Sequence, residues 1–178
     1  LTPGNHTQVT IVDRSSSMIG DGKIEAARIA GRYLSESTYP ADQVGVVSFA
    51  DAALDMLGMG VVAAGTNRGR IATAVTSVLP GGITSIGAGI NEGIHLLSTS
   101  ADASNRWAFV LLSDGRENTS PFWRARGTYP TVQPSVATLR IAHPDFQIHT
   151  VALGPDADEE VMQEIASTTG GVYYPVYL

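Results

Sequence analysis

The fold is decided by the stretch Gln8-Val9-Thr10-Ile11-Val12-Asp13-Arg14-Ser15-Ser16-Ser17. Its first half is a short, apolar and β-branched run, which is typical of a buried strand. Its second half is a polar loop that begins on the carboxylate of Asp13. In an open parallel sheet, ligands bind beyond the carboxyl ends of the strands. The stretch therefore predicts both a central strand and the edge at which a site lies.

Runs that favour strands and runs that favour helices alternate along the rest of the chain. Further strands are predicted at 44–49, 53–62, 107–112, 146–153 and 172–177. Helices are predicted at 23–37, 66–79, 86–97, 132–142 and 158–167. This alternation predicts an α/β fold with a mostly parallel sheet covered on both faces, in which 53–62 is a weak edge strand. The long loop at 115–131 is the irregular feature, and loops of this length are often functional.

Composition excludes several classes of protein. The 178 residues suit one domain, and 43% hydrophobic with 16% charged residues is a globular balance. A net charge of −6 without a basic run argues against nucleic acid as a partner. The absence of Cys excludes disulfides and thiolate metal sites but does not localise the protein. The location is thus unknown from the sequence, with an extracellular or cell-surface location slightly favoured.

No apolar run reaches the ~20 residues needed to span a bilayer, and no signal peptide is visible at the start. The chain begins almost directly on a strand. We therefore expect residues 1–178 to form a single domain excised from a longer protein.

Oxygen-bearing side chains occur in three separate loops that the predicted sheet brings together. Asp13, Ser15 and Ser17 follow the first strand, Thr84 precedes a helix, and Asp114 follows the strand at 107–112. Two carboxylates and three hydroxyls form an all-oxygen set, which hard cations prefer. We expect one divalent cation here, with Mg²⁺ preferred and Mn²⁺ or Ca²⁺ as alternatives. The neutral hydroxyls would leave the ion electrophilic and able to take an outside carboxylate.

These motifs resemble the metal-ion-dependent adhesion site of von Willebrand factor type A domains. The resemblance rests on Asp13-x-Ser15-x-Ser17-Met18, Gly82-x-Thr84 and Ser113-Asp114-Gly115, and on strand-like segments at 44–49 and 149–155. The segments 82–86, 114–119 and 149–155 are particularly similar to the A domain of calcium-activated chloride channel regulators.

The resemblance implies a Rossmann-like, doubly wound, mostly parallel six-stranded sheet with one antiparallel edge strand and helices on both faces. It also implies a non-enzymatic adhesion module whose bound cation grips an Asp or Glu of a protein partner. Ser15, Ser17 and Thr84 would be inner ligands, with Asp13 and Asp114 partly outer. Two departures stand out: Ser16 replaces the usual Gly, and the chain stops at Leu178 without the family's C-terminal helix, which puts any affinity switch in doubt.

The loop at 115–131 contains residues of the types found in protein interfaces, namely Arg116, Phe122, Trp123, Arg124 and Tyr129. One interpretation is a partner-specific rim beside the metal. The alternative is a loop that folds its own aromatic residues over the domain.

Other functions remain as alternatives. The site could be only a cluster of caps and turns. A phosphotransferase or phosphatase of haloacid-dehalogenase type would use Asp13, but it needs a second acid where Ser15 stands and a well-placed Lys, and Lys23 is the only Lys. A serine hydrolase lacks its nucleophile motif. The partner could also lie within the parent protein.

The glycines of Gly87-Ala88-Gly89-x-x-x-Gly93 do not fit a dinucleotide fingerprint and are expected to permit close helix packing.

Overall fold

The computed structural model describes residues 5–61 and 66–177. The strands are β1 (His6–Asp13), β2 (Gln43–Phe49), β3 (Ala53–Val61), β4 (Arg106–Ser113), β5 (Gln147–Leu153) and β6 (Tyr173–Val176). The helices are α1 (Lys23–Glu36), α2 (Thr66–Thr76), α3 (Ile86–Ser100), α4 (Gln133–Ala142) and α5 (Glu159–Thr169). A 3₁₀ turn, Ser16–Gly22, precedes α1 where only a loop was predicted.

The sheet has the order β3-β2-β1-β4-β5-β6. The edge strand β3 is antiparallel to β2, and the other neighbouring pairs are parallel. The chain builds one half of the sheet outward from β1 and then crosses over to build the other half from β4. The strand order therefore reverses between β1 and β4, which is where such sheets bind ligands. The predicted fold class is confirmed.

Side-chain alternation along the strands places one apolar cluster on each face of the sheet. Val9 and Ile11 pack with α3, α4 and α5 on one face. Val12 packs with residues of α1 and α2 on the other. The near-continuous apolar runs of the central strands follow from this double burial. Helices on both faces are thus confirmed.

The glycines of α3 pack as the sequence predicted. A Cβ added at Gly89 would lie 2.6 Å from Cδ1 of Phe49, and one added at Gly93 would lie 2.7 Å from Cζ of Phe109. A Cβ at Gly87 would lie 2.4 Å from the carbonyl oxygen of Pro121. The missing side chains let α3 approach the sheet and the long loop closely.

Several element boundaries differ from the predicted ones. Helix α2 ends at Thr76, three residues early, and Leu79 is exposed. Pro80 disfavours helical geometry at Leu79, so the helix ends before that residue. Helix α3 runs three residues further than predicted, and the end of the predicted strand 53–62 lies outside the described residues.

None of the helices in the described ranges has the length and apolar character needed to cross a membrane.

Candidate metal centre

Three loops meet at the carboxyl edge of the sheet, between β1 and β4. We call them the first loop (13–17), the second loop (81–85) and the third loop (113–119). The Ser16 N–H donates to the carbonyl of Gly82 at 2.9 Å, which joins the first loop to the second. The Thr84 N–H donates to Oδ1 of Asn118 at 2.6 Å, and the Asn118 N–H returns a bond to the Thr84 carbonyl at 3.0 Å. These bonds fix all three loops against one another.

The carboxylate of Asp13 is buried and held by two hydrogen bonds. Its Oδ1 accepts from the Ser15 N–H at 2.8 Å, and its Oδ2 accepts from the Ser113 hydroxyl at 2.6 Å. The hydroxyl oxygens of Ser15 and Ser17 lie 3.0 Å apart. Each oxygen of Asp13 keeps a further lone pair, because a carboxylate oxygen can accept more than one bond. The first loop therefore presents a carboxylate and two neighbouring hydroxyls together.

The two carboxylates of the predicted set act on one another. The pKa of Asp13 is raised to about 6, chiefly by burial and to a smaller extent by the charge of Asp114, while the hydrogen bonds from Ser113 and Ser15 lower it. Like charges in a buried site are costly unless a cation lies between them. The two buried carboxylates therefore need positive charge close by.

Asp114 is fully buried and has a basic partner that the sequence analysis did not place here. Its Oδ1 accepts from the Arg116 N–H at 3.2 Å, and its Oδ2 accepts from Nζ of Lys23 at 3.2 Å. Lys23 is the first residue of α1 and is only 1% exposed. The sequence contained one signal for this contact. A cation at a helix N-terminus is unfavourable, so a lysine at that position indicates that a compensating negative group lies nearby.

Thr84 is buried in the second loop, and its hydroxyl forms no hydrogen bond within the ranges that the structure describes. The neighbouring Ser85 behaves differently. Its hydroxyl donates to the carbonyl of Pro121 at 2.8 Å and accepts from the Ala88 N–H, so Ser85 caps α3. Capping thus explains Ser85, but it leaves the Thr84 hydroxyl unaccounted for.

The donor set fits a hard cation in its chemistry. Asp13, Ser15, Ser17, Thr84 and Asp114 lie on loops that are bonded together, and all of them offer oxygen. Among residues 5–61 and 66–177, no group of three or more His, Cys, Asp or Glu side chains is arranged to hold a metal. The candidate site has only two carboxylates and three hydroxyls, so it is a different kind of site from such clusters.

The five residues predicted as a partner-binding rim divide into two groups. Trp123 is fully buried and Phe122 is nearly so, while Tyr129 is 63% exposed. Arg116 is half exposed and pairs with Asp156 at 3.0 Å, and Arg124 pairs with Glu160 and Glu164. For Phe122 and Trp123 the structure supports the alternative interpretation, a loop that folds its own aromatic residues into the domain. Neither side chain is placed to contact a partner.

Glu117 is a further residue that the sequence analysis missed. It is only 7% exposed, and its Oε1 accepts from the Trp123 N–H at 2.7 Å. Burial raises the pKa of Glu117 to about 7, against the Trp123 hydrogen bond and the charge of Arg126, which lower it, while Asp158 raises it. Glu117 therefore ties the start of the long loop to its middle, at an electrostatic cost when it is ionised.

Glu117→Gln is expected to stabilise the protein at pH 8 and to reduce its pH dependence. The pKa of Glu117 is about 7 in the folded chain and 4.5 in the unfolded chain. Between these two pH values, the folded chain keeps this carboxyl group protonated while the unfolded chain does not. Wild-type stability therefore falls as the pH rises through this window. Glutamine keeps the acceptor for the Trp123 N–H and carries no charge, so the gain at pH 8 reaches up to about 3 kcal/mol, reduced by the cost of burying an amide group where Oε2 has no hydrogen-bond partner.

Urea unfolding of wild type and variant at pH 5 and pH 8 checks this. Glu36→Gln is the matched control, because Glu36 is an exposed helical residue whose surface pair contributes little. Equal stability of wild type and Glu117→Gln at pH 8 would contradict the prediction.

The family model described as von Willebrand factor type A domain matches residues 9–177. Calcium-activated chloride channel regulator 1 of Equus caballus is 29% identical over 175 residues, which are 97% of this chain and 17% of that protein. The chain thus spans less than a fifth of that relative. The predicted similarity to these regulators is confirmed.

Solved structures share the fold. A von Willebrand factor type A protein from Catenulispora acidiphila matches with a TM-score of 0.78 at 18% identity, over 97% of this chain and 39% of that one. An aerotolerance-related membrane protein from Bacteroides fragilis NCTC 9343 matches with a TM-score of 0.74 at 20% identity, over 97% and 92% of the two chains. At these identities the likeness concerns the fold alone.

Proposed function

The chain belongs to the von Willebrand factor type A domain family, and from this premise we propose that it is a metal-dependent protein-binding module. Members of this family generally mediate metal-dependent interactions between proteins, and those in adhesion and regulator proteins are generally not enzymes. The proposal goes further and assigns the cation to Asp13, Ser15, Ser17, Thr84 and Asp114.

One observation carries the proposal: three loops, cross-bonded through their backbones, bring two buried carboxylates and three neutral hydroxyls to the switch point of the sheet. Backbone bonds between the loops preorganise the oxygens, so little order has to be gained on binding. An all-oxygen set of this kind selects a hard cation such as Mg²⁺.

Each residue has a defined task in this proposal. The Ser113 hydroxyl and the Ser15 N–H orient Asp13. Ser15, Ser17 and Thr84 supply neutral oxygens that do not cancel charge. A bound divalent cation would supply a Lewis-acidic position for an Asp or Glu carboxylate of a protein partner. The exposed side chains of Arg116 and Tyr129 would contact that partner beside the carboxylate.

The phosphotransferase alternative has no support from the relatives. Lys23 does lie beside Asp114, which corrects the expectation that no Lys is well placed. The position of the second acid is nevertheless Ser15, whose hydroxyl pairs with that of Ser17. A phosphatase activity that disappears in Asp13→Asn would favour the enzyme instead.

Thr84→Ala is expected to weaken Mn²⁺ binding at least tenfold. The change removes a proposed ligand oxygen, and even loss of an outer-shell partner typically costs about 10–100-fold in metal affinity. The backbone bonds between Thr84 and Asn118 stay, so the loops keep their positions. Calorimetric titration of the chain with Mn²⁺ measures the effect.

Acetate serves as the carboxylate probe. Adding it to the Mn²⁺-loaded wild type is expected to displace bound water and lower the proton relaxation rate. Thr99→Ala is the matched control, because Thr99 is an exposed residue of α3 whose hydroxyl, among the described residues, bonds within its own helix. Wild type that binds no Mn²⁺, or Thr84→Ala that binds it as wild type does, would refute the proposed site.

A further inference from the structure

Lys23 occupies an unusual position for a lysine. Its side chain is buried, and its Nζ lies 3.2 Å from Oδ2 of Asp114 and 2.5 Å from Oδ1 of Asp156. The other oxygen of Asp156 pairs with Nη1 of Arg116 at 3.0 Å. A buried ammonium thus joins a proposed ligand of the cation to an acid that lies outside the site.

Burying this side chain costs free energy. An ammonium loses its hydration on burial, and α1 begins at Lys23, where the helix dipole disfavours a cation. Gly154, with φ of +92°, leaves space for the stem, since a Cβ there would lie 2.5 Å from Cε of Lys23. Nonpolar residues would fill the same space without the loss of hydration, so simple packing does not account for a lysine here.

Lys23 keeps its charge in this position. Its Nζ contacts a carboxylate oxygen of Asp114 and one of Asp156, and two neighbouring carboxylates favour the charged form of an ammonium. The same ion pair holds the pKa of Asp156 below its ordinary value. A permanent positive charge therefore lies within contact distance of a carboxylate of the proposed site.

The charge balance of the site follows from these contacts. Asp13 and Asp114 contribute two negative charges, and Lys23 offsets one of them. Asp156 and Arg116 neutralise each other. A divalent cation bound to two carboxylates alone would be fully compensated, whereas with Lys23 present one positive charge remains.

We propose that Lys23 is a positioning residue of the cation site, which holds Asp114 in place and leaves the bound divalent cation with positive charge for a partner carboxylate to neutralise. This inference rests on the proposed function. It implies that the chain gives up some metal affinity and gains attraction for an acidic ligand. It also implies that the metal-free domain stays folded, because the ammonium compensates Asp114 when no cation is bound.

Two substitutions are expected to change metal affinity in opposite directions. Lys23→Met removes the competing charge while filling similar space, and it should tighten Mn²⁺ binding about tenfold, given the strength of charge interactions at a few ångströms. Asp156→Asn removes the outer acid, so Lys23 pairs with Asp114 alone. The ammonium then competes more strongly with the metal, and Mn²⁺ binding should weaken several-fold. A purely structural role would weaken binding in both variants or in neither.

The experiment is calorimetric Mn²⁺ titration of the whole chain, with thermal unfolding of each variant with and without the metal. Arg32→Met is the matched control: it removes one cation from the exposed side of the same helix, and unchanged affinity is expected. Lys23→Met should melt at a lower temperature than wild type without metal and recover with Mn²⁺. Its Mn²⁺-loaded form should also need more acetate than wild type to lower the relaxation rate.

The outcomes separate the two proposals. If wild type binds no Mn²⁺, the proposed function fails. If wild type binds Mn²⁺ and Thr84→Ala does not, while folded Lys23→Met binds it no more tightly than wild type, the role of Lys23 alone is overturned. Should Lys23→Met not fold, Asp156→Asn decides, since binding as tight as wild type or tighter overturns the inference.

Discussion

Trp123→Ala is expected to lower the free energy of unfolding by about 3–5 kcal/mol. Trp123 has no exposed surface, and its indole Nε1 donates to Oε1 of Glu164 at 3.1 Å. Alanine would leave a large cavity under the long loop and remove one of the hydrogen bonds to Glu164. Because the Trp123 N–H also bonds to Glu117, the loop that starts at Asp114 would lose its main anchor.

Urea unfolding at pH 7 measures this change in the free energy of unfolding. Two further variants, with smaller expected changes, serve for comparison. Trp123→Phe keeps most of the packing and removes the Glu164 bond, so a cost of about 1–2 kcal/mol is expected. Tyr129→Ala changes an exposed aromatic residue of the same loop, which contacts the Phe122 ring edge to face at 5.9 Å, and should cost less than about 1 kcal/mol. Trp123→Ala within 1 kcal/mol of wild type would show that the loop does not depend on this anchor.

A glycine-to-alanine change at Gly89 is expected to destabilise the domain by about 1–3 kcal/mol or more, through overpacking. The new Cβ would lie 2.6 Å from Cδ1 of Phe49 and 3.0 Å from Cγ2 of Ile11, and both of these side chains are fully buried. Neither can rotate into free space, so α3 must move away from the sheet. Since α3 follows directly on Thr84, weaker Mn²⁺ binding is expected as well.

The chain offers a matched control for this change in α2. Gly69 is exposed, and a Cβ there would meet nothing within 4 Å. Gly69→Ala should therefore raise stability by up to about 1 kcal/mol, because alanine favours a helix more than glycine does. Thermal and urea unfolding of both variants give the comparison. If Gly89→Ala were also stabilising, the close packing of α3 would not be a constraint on the sequence.

The sequence predicted the site loops because their positions depend on strand ends. Apolar runs mark the strands, the carboxyl ends of parallel strands share one edge, and Asp13 and Asp114 each close such a run. The register that pairs Val12 with Leu112 then places Ser113 beside Asp13. This placement depends on backbone register and not on side-chain packing.

Loop side chains were not predictable in the same way. Trp123 and Tyr129 belong to one polar and aromatic loop, yet the first is fully buried and the second is 63% exposed. A loop has no repeating pattern from which the inward-facing side can be read. Whether an aromatic residue there forms core or surface depends on distant residues such as Glu164, which receives the indole bond.

The sequence by itself determined the α/β class, the family and the loops that carry the five oxygens, because local patterns of apolar and polar residues are sufficient for these. Only the tertiary structure decided where Lys23, Glu117 and Trp123 lie. The direction of each side chain is fixed by partners far along the chain. For Lys23 these are Asp114 and Asp156, together with the space left by Gly154. A lysine at a helix N-terminus signals that it needs a partner, but the local sequence does not show which distant residues bury it and pair with it, and these set the charge of the site.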